Sequence, residues 1–217
     1  MNSDKTVLIT GAAGRQGGAV IRYMLPKGWR LRALAFKVDN STVRRLTNQG
    51  IEVVRGDLED PASLERAVRG AYGVYSVQDF WSVGAKREVQ QGKNIADAAK
   101  RAGVEHLVYS SVGGAERNSG IDHWESKWEI ENHIRKLGQP ATMIRPAAFM
   151  ENYYIDQVEI GILKGKLLDP IRDRLRIEGG WHTFAFTSQS CPEGNRRTPQ
   201  RALVSLSWAT RGGGERT

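Results

Sequence analysis

The first 145 residues alternate between short apolar runs of strand length and longer stretches whose apolar residues recur at helical spacing. Parallel strands need a crossover of about a dozen residues or more, and each intervening stretch can provide one. The alternation therefore predicts an α/β fold with a doubly wound parallel sheet and helices on both faces. Strands are predicted at residues 5–10, 31–36, 51–55, 73–77, 105–110 and 141–145, and helices at 16–25, 41–48, 60–69, 86–102 and 122–137.

Two of these helices begin with capping signals. Ser41 is predicted to cap the second helix, because a serine side chain can accept a hydrogen bond from an N–H group of the first turn. Asp60 followed by Pro61 is a typical start of the third helix, with a capping residue before a first-turn proline.

The composition is that of one soluble globular domain. The chain has 217 residues, 40% of them hydrophobic and 26% charged, and no run approaches the roughly 18 apolar residues of a membrane span. The first residues show no signal-peptide pattern, so we expect a cytoplasmic protein. Cys191 is the only cysteine, which excludes an internal disulfide and a cysteine-rich metal site.

The net charge of +8 does not by itself indicate a nucleic-acid partner. Half of it comes from residues 172–217, which hold eight arginines, four acidic residues and no lysine. The preceding residues show no basic stripe with interleaved aromatics, no helix-turn-helix signature and no zinc-ligand spacing. The charge supports only a weak, salt-sensitive attraction to polyanions, and neither a nucleic acid nor a membrane is favoured as a partner.

A glycine-rich turn with the spacing GxxGxxG joins the first predicted strand to the first predicted helix. In dinucleotide-binding turns one glycine tightens the turn, another lets the backbone approach a pyrophosphate, and a third permits close helix–strand packing. The helix N-terminus adds unpaired N–H groups and a positive dipole end. No Gly-Lys-Ser/Thr follows, which excludes a P-loop; an ordinary strand–helix turn is the alternative. The predicted dinucleotide-binding turn consists of Gly11, Ala12, Ala13, Gly14, Arg15, Gln16 and Gly17.

The residues after the second predicted strand favour NADP over NAD. An NAD site usually has an acidic residue about 20 positions beyond the glycines, which accepts hydrogen bonds from the ribose 2′-hydroxyl. Here that stretch contains Phe36 and Lys37, and the first carboxylate is that of Asp39. Lys37 and Arg15 could bracket a 2′-phosphate with charge-assisted hydrogen bonds. The alternative is that both are solvated surface cations.

Six segments together resemble one protein family. Over about residues 5–170, their order and spacing are similar to those of the NmrA-like (HSCARG-type) branch of the atypical short-chain dehydrogenase/reductases. The segments are TGAAGRQGG (10–18), GDL (56–58), QGKNIADAA (91–99), YSS (109–111), HWESK (123–127) and RPAAFMEN (145–152).

The resemblance implies a Rossmann-type NAD(P)-binding domain and a role for particular residues. In the family the glycine loop holds the pyrophosphate, which implies that role for Gln16 and for the three glycines of the turn. The aspartate after the third strand contacts the adenine, which implies that role for Asp57, with Leu58 beside the ring. The family often has arginine at the end of strand two, whereas this chain has Phe36 followed by Lys37. Phe36 could stack on the adenine; the plainer interpretation is a buried aromatic at the strand end.

The resemblance also locates the candidate catalytic residues. Active short-chain dehydrogenases carry a Tyr-x-x-x-Lys pair on the helix predicted at 122–137, whereas this chain has His123 in place of the tyrosine and keeps Lys127. The i, i+4 spacing puts both side chains on one helix face. A neutral imidazole can donate a proton, and Lys127 can bind the nicotinamide ribose without turnover. An exposed helix-start histidine is the alternative for His123. Ser110 and Ser111, at the end of a predicted strand, are expected either to line the nicotinamide site or to cap the next turn.

Several further residues are expected around the cofactor. Gln78 is expected near the cofactor, and residues 79–81 either cover its nicotinamide half or cap the sheet. Lys93 is expected to face the same crevice, with a surface lysine as the alternative. Phe149 and Asn152 match a loop that closes over the cofactor in relatives.

The chain divides at about residue 170. Residues 1–170 are predicted to form the NAD(P)-binding domain, and 171–217 an atypical tail in which the resemblance stops, leaving a truncated or aberrant C-terminal substrate lobe. One interpretation is a shortened terminus, disordered after Trp208. The other is an out-of-frame translation, because the codons of a Glu-Leu-Gly-Asp-Glu motif read one nucleotide late encode the segment SWATR (207–211).

Two functions follow from these patterns. The first is an NADP(H) sensor that binds a regulatory protein partner according to the cofactor form, without the usual dehydrogenase catalysis. The second is an NADPH-dependent reductase of quinones or similar small electron-poor compounds. The absence of the tyrosine at position 123 favours the first, while His123, Lys127 and Ser110 keep the second open.

Overall fold

A six-stranded parallel sheet forms the centre of the molecule in the computed structural model, which describes residues 4–147 and 149. The strand order is β3-β2-β1-β4-β5-β6, and every neighbouring pair is parallel. This is the doubly wound order with its switch point between β1 and β4, so the predicted fold class is confirmed. The strands are β1 (Thr6–Ile9), β2 (Arg30–Ala35), β3 (Glu52–Arg55), β4 (Gly73–Ser76), β5 (His106–Ser110) and β6 (Ala141–Ile144).

Five α-helices connect the strands and cover both faces of the sheet. Each predicted helix is present, and four of the five begin and end within about two residues of the predicted bounds. The fourth begins six residues earlier than predicted. The helices are α1 (Arg15–Met24), α2 (Ser41–Asn48), α3 (Pro61–Val68), α4 (Phe80–Arg101) and α5 (Asp122–Lys136).

Alternate residues of the strands enter two hydrophobic clusters, one on each face. In β1, Leu8 points into the cluster that contains side chains of α3, α4 and α5. Its neighbours Val7 and Ile9 point into the cluster that contains side chains of α1 and α2. This division follows from the two-residue period of a strand whose faces are both covered.

The caps of two helices test the predicted starts. Asp60 caps α3 as predicted, its carboxylate accepting a hydrogen bond from the Ala62 N–H at 3.0 Å. The predicted cap of α2 is wrong: Asn40, not Ser41, accepts from the Val43 N–H, at 2.9 Å. Asn40 has an extended backbone, which suits a capping residue, whereas Ser41 is already in the first turn of the helix.

The early start of α4 corrects the predicted bounds. A first turn begins at Phe80, and Gly84 interrupts the helix with φ 76° and ψ 168° before it continues to Arg101. The hydroxyl of Ser82 donates to the Asp79 carboxylate at 2.5 Å, which stabilises this separate turn. Gly84 does not have helical backbone angles, so the helical spacing of side chains is interrupted there. The periodicity of the sequence therefore predicts only the part of the helix after the glycine.

Several predictions concern residues outside the described ones. These are Asn152, the domain boundary near residue 170, and the interpretations of the tail. Within the described residues, no helix is both long and apolar enough to cross a bilayer.

Candidate functional site

The three glycines of the first turn have different geometric surroundings. Gly11 has a left-handed φ of +58°, and a Cβ there would lie 2.7 Å from a Val77 methyl carbon. Gly17 packs so closely that a Cβ would lie 2.9 Å from the Cα of Ala12 and closer still to the Gly11 carbonyl oxygen. Gly14 caps α1 with an extended backbone, and its N–H donates to the Gly11 carbonyl at 2.9 Å. The turn is therefore compact, with α1 held directly against the end of β1.

The N-terminus of α1 is the candidate pyrophosphate site. The first N–H groups of a helix have no partner within it, and the aligned peptide dipoles add partial positive charge there. The first turn contains no acidic residue, and the side chain of Arg15 adds a further exposed cation. Ala13 and Gly14 are exposed, whereas Ala12 is buried in the core beneath the turn. The arrangement can bind an anion through backbone groups.

Gln16 joins the glycine turn to the two strands that follow the switch point. Its side-chain oxygen accepts a hydrogen bond from the Tyr75 hydroxyl of β4 at 3.1 Å and from the Ser110 hydroxyl of β5 at 2.6 Å. Burial raises the pKa of the Tyr75 hydroxyl. The hydroxyl of Ser110, the candidate catalytic serine, thus donates a hydrogen bond to a residue of the candidate phosphate-binding turn.

Two buried polar atoms at the same edge of the sheet have no partner among the described residues. They are the hydroxyl of Ser111, directly after β5, and the side-chain oxygen of Gln78, after β4. The amide nitrogen of Gln78 donates to the Ser76 hydroxyl at 2.9 Å. A buried polar group left unpaired costs about 1–3 kcal/mol, so such atoms favour a polar ligand at this place. The carboxamide and ribose of a nicotinamide nucleoside have the donors that would satisfy them.

A cleft of about 340 Å³ extends from the glycine turn across the ends of β2 and β3. The Asp57 carboxylate accepts from the Glu59 N–H at 2.9 Å through one oxygen. Hydrogen bonds from Gln91 and Arg87 lower the pKa of Glu59. The lining includes Gly11, Phe36, Asp57, Leu58, Arg87 and Gln91.

Phe36 corrects one interpretation of the sequence. Its side chain is 65% exposed and lines the cleft, so the prediction of a buried strand-end aromatic is wrong. Lys37, next to it, is also exposed, and its carbonyl accepts a hydrogen bond from the Asn40 side chain. An exposed aromatic ring beside Asp57 and Leu58 is suited to stacking on a planar base.

His123 lies among aromatic rings at the start of α5. Its ring centroid is 5.6 Å from those of both Phe80 and Trp81, which belong to the first turn of α4. Burial lowers the pKa of His123, the charge of Lys127 lowers it further, and the charge of Glu88 opposes these effects. Its surroundings therefore favour the uncharged form of the imidazole.

Lys127 is held by an acidic residue that the sequence analysis did not identify. Its ammonium lies 2.6 Å from a carboxylate oxygen of Glu88 on α4, and the Ser126 hydroxyl donates to the other oxygen at 2.5 Å. Glu88 is fully buried and Lys127 is 7% exposed. A glutamate in the polar segment KREVQQ (86–91) of an amphipathic helix resembles a surface residue, so the sequence contains no signal for this pair.

The remaining predicted residues lie apart from the cleft. Lys93 donates to Glu129 of α5 at 2.6 Å and is not among the residues that line the cleft. Phe149 is half-buried and packs against the hydrophobic cluster on the α1 and α2 face, which it shares with Val77. Within the described residues, no group of three or more His, Cys, Asp or Glu side chains is arranged to hold a metal ion.

Comparison with known proteins identifies the family. The model of the NmrA-like family matches residues 3–175, most of the chain. The chain belongs to the NmrA-like family. It is 33% identical over 205 residues to the NmrA-like family domain-containing oxidoreductase FrzB of Cladobotryum sp, an alignment that covers 89% of this chain and 59% of FrzB.

Solved structures of a regulator and of an oxidoreductase share the fold of this NmrA-like chain. The negative transcriptional regulator NmrA, solved in complex with NADP and with NAD, is 26% identical with a TM-score of 0.62, over 69% of this chain and 47% of NmrA. The NADPH-dependent quinone oxidoreductase QOR2 of Escherichia coli, solved with NADPH, is 28% identical with a TM-score of 0.62, over 73% of this chain and 54% of QOR2. The chain thus spans about half the length of the relatives it matches.

Proposed function

We propose that this NmrA-like chain binds NADP(H) and serves as a sensor of the cofactor's redox state. The observation that carries the proposal is the arrangement along one edge of the sheet. The N-terminus of α1 suits a pyrophosphate, the cleft at Phe36 and Asp57 suits an adenosine, and the unpaired atoms of Ser111 and Gln78 suit a nicotinamide. A regulatory protein partner would then bind the chain with different affinity when the oxidised or the reduced cofactor is bound.

The preference for the phosphorylated cofactor rests on charge. Beyond the end of β2, where an NAD site usually has a carboxylate, this chain has Phe36 and Lys37, and Arg15 projects from the start of α1. Both cations are exposed and free to pair with a 2′-phosphate. NmrA, which has been solved with both NAD and NADP, supports a dinucleotide without deciding between them.

The sensor role rests on the weakness of the acid–base machinery among the described residues. A bound nicotinamide supplies or accepts a hydride, but reduction of a carbonyl or quinone also needs a proton. Burial and the charge of Lys127 lower the pKa of His123, which disfavours the protonated imidazole that would supply the proton. Tyr75 and Tyr109 are buried and the pKa of each hydroxyl is raised. The described residues therefore favour binding and orientation of the cofactor over turnover.

A reductase of quinones or similar electron-poor compounds is the second candidate. It is supported by His123, which shares one face of α5 with Lys127 and replaces the tyrosine that active short-chain dehydrogenases carry at this position. Relatives described as oxidoreductases, including QOR2, add weight to it. In this case the imidazole would be the proton donor.

Calorimetry on the full chain tests the cofactor preference. NADP⁺ should bind more tightly than NAD⁺, and Arg15→Ala with Lys37→Ala should weaken NADP⁺ binding by about a hundredfold or more, because each charge-assisted contact is worth about 1.5–3 kcal/mol. Arg69→Ala with Lys136→Ala removes the same charge from exposed positions outside the cleft and should change neither affinity. Equal affinities for the two cofactors, or an unchanged double variant, would refute the preference.

A further inference from the structure

The buried ion pair between α4 and α5 lies next to a close contact between the two helices. A Cβ on Gly92 of α4 would lie 2.5 Å from a methyl carbon of Ile130 of α5, so only glycine permits the observed packing. One turn earlier on both helices, Glu88 faces Ser126 and Lys127. The helix contact therefore sets the distance across which the carboxylate reaches the ammonium.

Glu88 leaves Lys127 little freedom to move. Both carboxylate oxygens are engaged, one by Lys127 and the other by Ser126, in a fully buried position. Removing the ammonium from this place would leave an uncompensated buried charge, which is strongly unfavourable. An ammonium has three donors, and among residues 4–147 and 149 its only hydrogen-bond acceptor is Glu88, which leaves two donors for a ligand.

We infer that Glu88 is a positioning residue of the cofactor site: it fixes the Lys127 ammonium so that its remaining donors meet the hydroxyls of the nicotinamide ribose. The inference rests on the proposed cofactor binding. It gives α4 a part in positioning the lysine of α5, which no sequence motif indicates. Glu88 acts only through Lys127, because its own oxygens are already occupied by the lysine and the serine.

The test compares a whole cofactor with a fragment that lacks the nicotinamide nucleoside. Binding of NADP⁺ and of adenosine 2′,5′-bisphosphate is measured by calorimetry on the full chain and on Glu88→Gln. In Glu88→Gln the affinity for NADP⁺ should fall by about tenfold, the contribution of one charge-assisted hydrogen bond. The affinity for the bisphosphate should stay within about twofold of that of the unaltered chain. Glu131→Gln is the matched control, since Glu131 is equally buried but is paired with Arg135 and Arg145.

A double-mutant cycle covers the risk that Glu88→Gln destabilises the fold. Lys127→Met leaves no buried ammonium, and adding Glu88→Gln to it should change NADP⁺ affinity no further. Parallel weakening of both ligands in Glu88→Gln, unchanged NADP⁺ affinity, or additive effects in the cycle would overturn the inference. If the unaltered chain binds neither ligand, the proposed function fails first and the inference falls with it.

Discussion

Gly14 and Gly17 belong to one turn but lack a side chain for different reasons. At Gly17 a Cβ would overlap backbone atoms of Gly11 and Ala12, which no side-chain movement can relieve. At Gly14 it would lie 3.3 Å from the Gly11 carbonyl oxygen, a contact that small shifts can absorb, and its φ of −87° is allowed for any residue. Gly17 thus serves packing, whereas Gly14 leaves room for a ligand.

Gly14→Val should abolish NADP(H) binding while the fold largely survives, because the branched side chain would occupy the space through which a pyrophosphate approaches the backbone. Calorimetry and thermal unfolding measure the two effects. Gly18→Ala is the control: its Cβ would have only ordinary contacts, and it should retain binding and stabilise α1 by up to about 1 kcal/mol. Normal NADP(H) binding by Gly14→Val would show that the phosphates lie elsewhere.

The lowered pKa of His123 predicts a loss of stability in acid. A histidine whose pKa is lower in the folded state stabilises fully above its unfolded pKa of about 6.5, and that stability is lost as the pH falls through the folded value. Urea unfolding should therefore give a smaller free energy at pH 5.5 than at pH 7.5. In His123→Asn the free energy of unfolding should fall less between these two pH values. A smaller fall should remain because burial also lowers the pKa of His106. A flat profile in the unaltered chain would contradict a lowered pKa of this half-buried histidine.

At the scale of elements, α4 and α5 are joined by two ion pairs in different surroundings. The Lys127–Glu88 pair is buried, whereas Lys93 and Glu129 of the same two helices are 29% and 56% exposed. Water screens the second pair and solvates its members when they separate, so its net contribution is small. The first pair excludes water, and the loss of either partner leaves the other without compensation.

Lys127→Ala should lower the free energy of unfolding by about 3–5 kcal/mol, because it strands the buried carboxylate of Glu88. Lys93→Ala should cost less than about 1 kcal/mol, since it breaks an exposed pair between the same helices. Urea unfolding at neutral pH compares them. Lys127→Ala should also weaken cofactor binding. The Lys127→Met, Glu88→Gln double variant lacks both buried charges, so it separates the loss of the ribose contact from the loss of stability. Equal costs for the two lysines would argue against the buried pair.

The elements were largely predictable because their signals are local. Asp60 and Pro61 start α3 through contacts within one turn, and the glycine turn carries its own spacing. What escaped prediction depends on distant contacts or on backbone conformation. Glu88 is identifiable only once α5 lies against α4, and the exposure of Phe36 depends on what packs beyond β2.

At the scale of the whole molecule, the site groups converge because parallel strands end at one edge. The glycine turn follows β1, Phe36 follows β2, Asp57 follows β3, Gln78 follows β4 and Ser110 ends β5. These residues are far apart in the chain, yet the order β3-β2-β1-β4-β5-β6 brings their strand ends side by side. The described residues thus contain every part of the proposed dinucleotide site except Asn152.

Turnover with quinones should be at background if the chain is mainly a sensor. NADPH oxidation, followed by absorbance with a panel of quinones, should not differ between the unaltered chain and His123→Ala, and NADPH affinity should change by no more than about threefold. General acid–base assistance is typically worth about 10²–10⁴-fold. A rate above background that falls by such a factor in His123→Ala would make the imidazole the proton donor and the reductase the correct function.

The central position of β1 also affects how the chain folds as it is synthesised. Ile9 pairs with Ala33 of β2 on one side and with Tyr75 of β4 on the other. At a synthesis rate of about 5–20 residues per second, β4 is completed roughly 2–8 s after β2. During that interval the β4 side of the apolar strand β1 has no partner strand. Pairing across such a separation is intrinsically slow and exposes the nascent chain to aggregation. The yield of folded protein should therefore depend on chaperone supply and growth temperature as well as on equilibrium stability.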